Sequence, residues 1–160
     1  MSMQMPEWSV KQIPKAVPKL AKPVLIAGLP GIGNVGKVAV DFMVEELGAE
    51  KLYEFFSYNL PHSVFVTEEN LVELPLISLY FKKGAGKRPG ILFLAGDVQP
   101  VNEHSCYSFS DTVLDYFTKL GGAQVITIGG IGLPAVPKKP RVYCTGTSKE
   151  VVDRFRMVSV

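Results

Sequence analysis

The sequence predicts an α/β protein of three layers, α/β/α, with a mainly parallel central sheet and a small antiparallel insertion. Three observations predict it. Apolar runs of strand length at 24–27, 91–95 and 123–128 each lead into a glycine-bearing loop, the pattern of strands buried on both faces. The first two are followed by stretches with helical apolar spacing. Between Ser63 and Phe81 the sequence changes to short β-rich runs separated by Glu68-Glu69-Asn70 and Pro75, which reads as two or three antiparallel strands beside the main sheet.

Residues 1–22 read as a basic, proline-containing arm. Lys11, Lys15, Lys19 and Lys22 alternate with Pro6, Pro14 and Pro18, so a continuous helix is opposed and a solvated lead-in is expected. Trp8, Val10 and Ile13 are the residues able to tack it onto the body or another subunit. Residues 23–160 then form a single α/β domain. Val24-Leu25-Ile26-Ala27 is its first strand, the glycine stretch 28–37 its turn, and Val38, Phe42 and Leu47 mark the helix that follows, with Gly48 as its stop. Residues 51–58 supply a second strand, completing a strand-helix-strand unit.

After the insertion, Lys82, Lys83, Lys87 and Arg88 with Gly84, Gly86 and Gly90 form a solvated hairpin loop. The strand at 91–95 ends at Gly96-Asp97, and a polar loop with Glu103, His104, Ser105 and Cys106 precedes a helix over about 109–120, with Ser110 as its N-cap. Gly121-Gly122 stops that helix. The strand at 123–128 leads into Gly129-Gly130-Ile131-Gly132, Pro137–Pro140 makes a rigid turn, residues 141–144 form a brief strand, and Ser148 caps a last helix through Phe155.

Composition bounds the function. The 160 residues are 47% hydrophobic and 20% charged, enough for one sizeable core, and 17 Lys plus Arg against 15 Asp plus Glu give +2, too balanced to indicate nucleic acid. Cys106 and Cys144 lack metal-ligand spacing and read as two unpaired, buried thiols of a reducing compartment. The longest weakly polar stretches fall short of the roughly 20 apolar residues a membrane helix needs, and the N-terminus lacks a signal-peptide pattern, so a cytoplasmic protein is expected.

The glycine stretch invites two phosphate-binding readings. Gly31-Ile32-Gly33-Asn34-Val35-Gly36 has the G-x-G-x-x-G spacing of a dinucleotide turn, but its acidic partner would be Glu54, inside a strand. Gly31 to Lys37 falls one residue short of a P-loop, because Val38 stands where a magnesium-binding hydroxyl is needed. Asp97, Glu103, His104, Ser105 and Cys106 form a modest hydrolase-like cluster at a strand exit, and His62 stands alone beside Pro61. None of these amounts to a catalytic, cofactor-binding or metal site, and no cofactor is expected.

Three blocks together carry a resemblance. They are Pro23 through Asp41 (PVLIAGLPGIGNVGKVAVD), Ile91 through Pro100 (ILFLAGDVQP) and Ile126 through Gly132 (ITIGGIG). In these the chain resembles the proteasome assembly chaperone 2 family, especially its archaeal members, over about residues 21–155. The resemblance implies an α/β/α fold, homo-oligomerisation, and a non-catalytic scaffold or chaperone role toward proteasome α-subunits, with the glycine blocks as fold-defining positions. It also implies a helical C-terminal extension that residues 23–160 lack. Val158-Ser159-Val160 puts Ser159 where some archaeal members have a docking tyrosine. The alternative is a small-molecule or nucleotide-binding protein, or an enzyme, that uses the strand-exit loops.

Overall fold

The computed structural model describes residues 7–86, 88–139 and 141–156. Pro6, Lys87, Pro140 and the triplet Val158-Ser159-Val160 lie outside the described residues. In chain order the elements are β1 (Ser9–Gln12), β2 (Val24–Gly28), a 3-10 turn (Ile32–Asn34), α1 (Val35–Glu46), β3 (Glu50–Phe56), β4 (Phe65–Val66), β5 (Val72–Glu73), β6 (Ile77–Lys82), β7 (Ile91–Gly96), α2 (Glu103–Lys119), β8 (Gln124–Thr127) and α3 (Lys149–Arg156).

Six strands make one sheet in the order β1-β3-β6-β7-β2-β8, and β4 and β5 pair as a separate two-stranded sheet. The expectation of a mainly parallel sheet is wrong. β1/β3, β3/β6 and β6/β7 are antiparallel, and only β7/β2 and β2/β8 are parallel. The reason is local. The loop between Lys82 and Ile91 is a hairpin connection, and a hairpin forces its strands to be antiparallel neighbours. That places β6 inside the main sheet and leaves only β4 and β5 as the insertion. β3, read as completing a unit with β2, is separated from it by β6 and β7.

Each face of the sheet has its own core. On one face Leu25, Leu92, Leu94, Leu79 and Phe55 pack with Phe109, Val113 and Phe117 of α2. On the other, Val40 of α1 packs with Phe93 and Ala95, flanked by Ile26, Met43 and Val44. These two layers cover the three-layer reading, since side chains alternate faces along each strand.

The N-terminal arm is not a solvated lead-in throughout. β1 pairs in register with β3 from Ser9↔Phe56 to Gln12↔Tyr53. Trp8 is only 6% exposed, with its ring 4.7 Å from that of Phe109 and its Nε1–H donating to Ser108 Oγ at 3.0 Å. Lys11, Lys15, Lys19 and Lys22 do remain exposed.

Helix ends follow their capping residues. Gly48 (φ 55°) and Gly121 (φ 74°) take the left-handed conformation just past α1 and α2, donating to Glu45 O and Thr118 O, as C-terminal caps do. α2 begins earlier than expected. Asn102, not Ser110, is its N-cap, accepting from Ser105 N–H at 2.9 Å. Ser110 Oγ–H instead donates to the Cys106 carbonyl one turn back, at 2.8 Å. No strand forms at residues 141–144, which are irregular and exposed.

Candidate functional site

Because β2 and β8 are parallel neighbours, the two glycine loops leave the sheet side by side and pack on each other. A Cβ at Gly36 would strike the Ile128 carbonyl, one at Gly130 the Ile32 carbonyl, and one at Gly28 the Gly36 carbonyl. The glycines therefore let backbone approach backbone. Where a dinucleotide turn needs open space for a pyrophosphate, this turn meets a peptide carbonyl at Gly36.

Lys37, the residue in P-loop position, is committed elsewhere. Its Nζ lies 2.8 Å from Asp41 Oδ2 and 3.2 Å from Asp97 Oδ1. Partial burial pulls its pKa down, but hydrogen bonds and charge from Asp41 and Asp97 outweigh this and leave it above the ordinary lysine value. Asp97 is thus the β7-end partner of a lysine on α1. Together with Lys51, Tyr80 and the hairpin residues Glu73 and Leu74 they enclose a cavity of about 140 Å³, well below the ~300–1,000 Å³ of small-molecule sites. The cluster ties α1, the end of β7 and the base of the β4–β5 hairpin together.

Glu54 is not near the glycine turn's ligand side. It receives Lys51 at 3.0 Å and Lys11 at 3.5 Å. Burial raises its pKa, and these two lysines more than reverse that, leaving it below the usual carboxylate value.

The hydrolase-like cluster disperses over the first turn of α2, where successive residues point about 100° apart. His104 is exposed and faces Glu7 at 3.4 Å. Ser105 is fully buried, its hydroxyl without a hydrogen-bond partner among the described residues. Cys106 points its thiol at the Pro100 carbonyl, 3.6 Å away. No nucleophile–base contact joins them. Cys106 and Cys144 are unpaired, as expected, but exposed and not buried. His62 is exposed. Among the described residues no group of three His, Cys, Asp or Glu side chains could hold a metal, and no helix is long and apolar enough to cross a membrane.

What the surface concentrates is apolar side chains. On α1 only Gly36 and Val40 are buried, while Val38 and Phe42 are 64% and 62% exposed and Ile32 and Val35 join them. The β4–β5 hairpin exposes Val64, Phe65, Val66, Leu71, Val72 and Leu74. A third region is a groove of about 1790 Å³ around the outer edge of β8, reaching from Val35 to α3. The α1 stripe is legible as a broad helical apolar face. Its exposure is not, because helical periodicity marks the width of an apolar face and not how much of it the sheet beneath, here β2 and β7, covers.

Comparison with known proteins follows the same lines. The profile of the PAC2 family matches residues 25–159. The uncharacterised protein MJ1210 of Methanocaldococcus jannaschii is 30% identical over 142 residues, 89% of this chain and 54% of that protein. Among solved structures, Pyrococcus furiosus PbaB, described as an archaeal proteasome activator, superposes with a TM-score of 0.86 at 28% identity, over 96% of this chain and 63% of PbaB. P. furiosus PbaA, described as an archaeal homolog of proteasome-assembly chaperone, gives 0.60 at 19% identity over 82% of this chain and 52% of its own, a likeness of fold. The chain spans between about half and two thirds of the length of these relatives.

Proposed function

The chain belongs to the PAC2 family, and on that premise we propose that it is a non-catalytic, homo-oligomeric scaffold that binds proteasome α-subunits in the manner of an assembly chaperone. The observation that carries this reading is α1. A helix that packs on a sheet ordinarily turns charged residues outward, whereas this one presents Val35, Val38 and Phe42, with Ile32 exposed in the turn just ahead of it. Covering Val35, Val38 and Phe42 with a partner would contribute roughly 5–8 kcal/mol of apolar burial before the cost of association. Contiguous apolar surface of this kind marks protein interaction sites. The descriptions of PbaB and PbaA support proteasome subunits as the partner. The proposed compartment is the cytoplasm, where exposed thiols such as Cys106 and Cys144 stay reduced.

The test is co-elution and native mass spectrometry of the purified chain with proteasome α-subunits, alongside Val38→Asp and Phe42→Asp. A complex weakened at least tenfold by either substitution is expected. Absence of any complex with the unsubstituted chain, or a complex indifferent to both substitutions, would overturn the reading. Calorimetry with nucleotides addresses the rival. Saturable binding lost in Gly31→Ala would replace the scaffold with a ligand-binding protein.

A further inference from the structure

We propose that the end of the sheet where β6 turns into β7 is a docking surface for an acidic segment of another protein, a short run of Asp and Glu side chains. This surface is distinct from the outward face of α1 and goes beyond the function proposed for that face.

Two segments far apart in sequence meet here. β6, β7 and β2 lie side by side in the interior of the sheet, and their register sets Lys82 opposite Ile91 and Ile91 opposite Val24. With about 4.8 Å between neighbouring strands, the backbone of Lys82 is on the order of 10 Å from that of Val24. The N-terminal arm enters β2 at this row. Leu20 packs on the same core as β6 and β7 and lies against Gly90, 3.2 Å from where its Cβ would stand. Val24 N–H donates to Gly90 O at 3.1 Å, and Ala123 N–H to Pro23 O at 2.9 Å. Lys19 and Lys22 of the arm are thereby set beside Lys82, Lys83 and Arg88 of the loop.

These five cations are exposed, and none makes an ion pair among the described residues. Lys11, Lys37 and Lys51, elsewhere on the chain, are each paired with a carboxylate. The backbone beneath the unpaired set is shaped. Arg88 N–H closes a turn onto Ala85 O at 3.1 Å, and Lys22 takes the left-handed conformation at φ 46°, which residues other than glycine rarely adopt. Like charges within a Debye length of about 8–10 Å repel one another, and an acidic partner relieves that repulsion.

The surroundings select a protein among polyanions. Residues 13–23 and 82–91 contain no aromatic side chain, so single-stranded nucleic acid would find no stacking platform. Four of the five cations are lysines, point charges without the planar fork that suits phosphate. Glu45, Glu46 and Glu50, exposed and unpaired at the end of α1 and the start of β3, border the patch, and Lys82 Nζ lies 4.0 Å from the Cβ position of Gly48 between them. That acidic border repels a flat anionic membrane or a long phosphate backbone, whereas a short acidic segment fits within it.

Fluorescence anisotropy with the full chain and a labelled Glu-rich peptide tests this, the same peptide with Gln for Glu serving as control and circular dichroism showing that each variant is folded. Saturable binding of the Glu peptide alone is expected, weakening as salt rises. Lys19→Gln with Lys22→Gln, and separately Lys82→Gln with Lys83→Gln, should each weaken it at least fivefold. Val101→Asp with Tyr107→Asp alters net charge by the same two units at exposed positions near the opposite, Asn102 end of α2, and should leave binding unchanged. No saturable binding, equal binding of the Gln peptide, or either lysine pair without effect would overturn the surface. An equal loss in the Val101 and Tyr107 pair would reduce it to net charge and overturn it too. Tighter binding of a single-stranded oligonucleotide or of phosphatidylserine vesicles than of the peptide would overturn the assignment to an acidic protein. None of these results bears on α1, which Val38→Asp and Phe42→Asp test separately.

Discussion

Gly36→Ala should destabilise the protein by about 1–2 kcal/mol, although alanine is the better helix former by ~1 kcal/mol. The added methyl would run into the Ile128 carbonyl, lying 3.0 Å from its carbon and 3.3 Å from the Gly28 Cα. These are backbone atoms held in or just beyond hydrogen-bonded strands, so no side chain can rotate to make room. Overpacking costs roughly 1–3 kcal/mol where the surroundings must shift, and rigid neighbours put Gly36 at the upper end. For a chain of this size the loss corresponds to about 2–8 °C in Tm. Gly31→Ala is the matched control, because nothing lies within 4 Å of its Cβ position and its backbone is extended, with φ −171°. It should be neutral or stabilising by up to ~1 kcal/mol. Urea unfolding followed by circular dichroism, with m unchanged, measures both. A Gly36→Ala variant as stable as the parent would refute the view that this turn exists to bring α1 against β2 and β8.

Trp8→Ala should cost about 3–5 kcal/mol, as for other large aromatics removed from a core, and Trp8→Phe, which loses the bond to Ser108 and part of the ring packing, a smaller amount of about 1–3 kcal/mol; equal stability of all three would mean that the arm is dispensable. Glu54 is held ionised in the fold by Lys51 and Lys11, so its contribution of about 0.5–1 kcal/mol is present above the unfolded carboxylate pKa of ~4.3. It is lost as pH falls through the lower folded value. Glu54→Gln should therefore be less stable than the parent at pH 7 and converge with it in acid, and parallel stability curves over that range would contradict the assignment.

Much of the chain's local structure was legible. β2, β3, β7 and β8 stand where apolar runs of strand length occur, and α1 and α2 stop at Gly48 and Gly121 because no other residue takes the left-handed cap so cheaply. Sheet order was not legible, since choosing among partners depends on contacts made far along the chain. β1 escaped notice because four residues, two of them Lys11 and Gln12, carry too little alternation to separate an edge strand from a solvated arm. The first turn of α2 looked like a loop because its polar residues are helix-starting residues whose cap, Asn102, lies ahead of them. Residues 141–144 have strand composition but pair with no strand among the described residues, so composition alone does not make a strand. Of the Lys37 cluster, the i,i+4 pair with Asp41 could be read from spacing, whereas Asp97 reaches it only through the β7/β2 pairing.

The central place of β2 has a consequence for synthesis. Val24 is hydrogen-bonded into the sheet beside Ile91 and Gln124, neither of which has been made when β2 leaves the ribosome. At about 5–20 residues per second, the order of 100 residues separating β2 from β8 takes roughly 5–20 s to translate. The hairpin of β6 and β7 and its pairing with β3 involve nearer segments and can assemble while the nascent glycine turn is still waiting. The segment that reads most plainly in the sequence is thus among the last to reach its place, and for those seconds its apolar strand depends on its own brevity to stay out of aggregates.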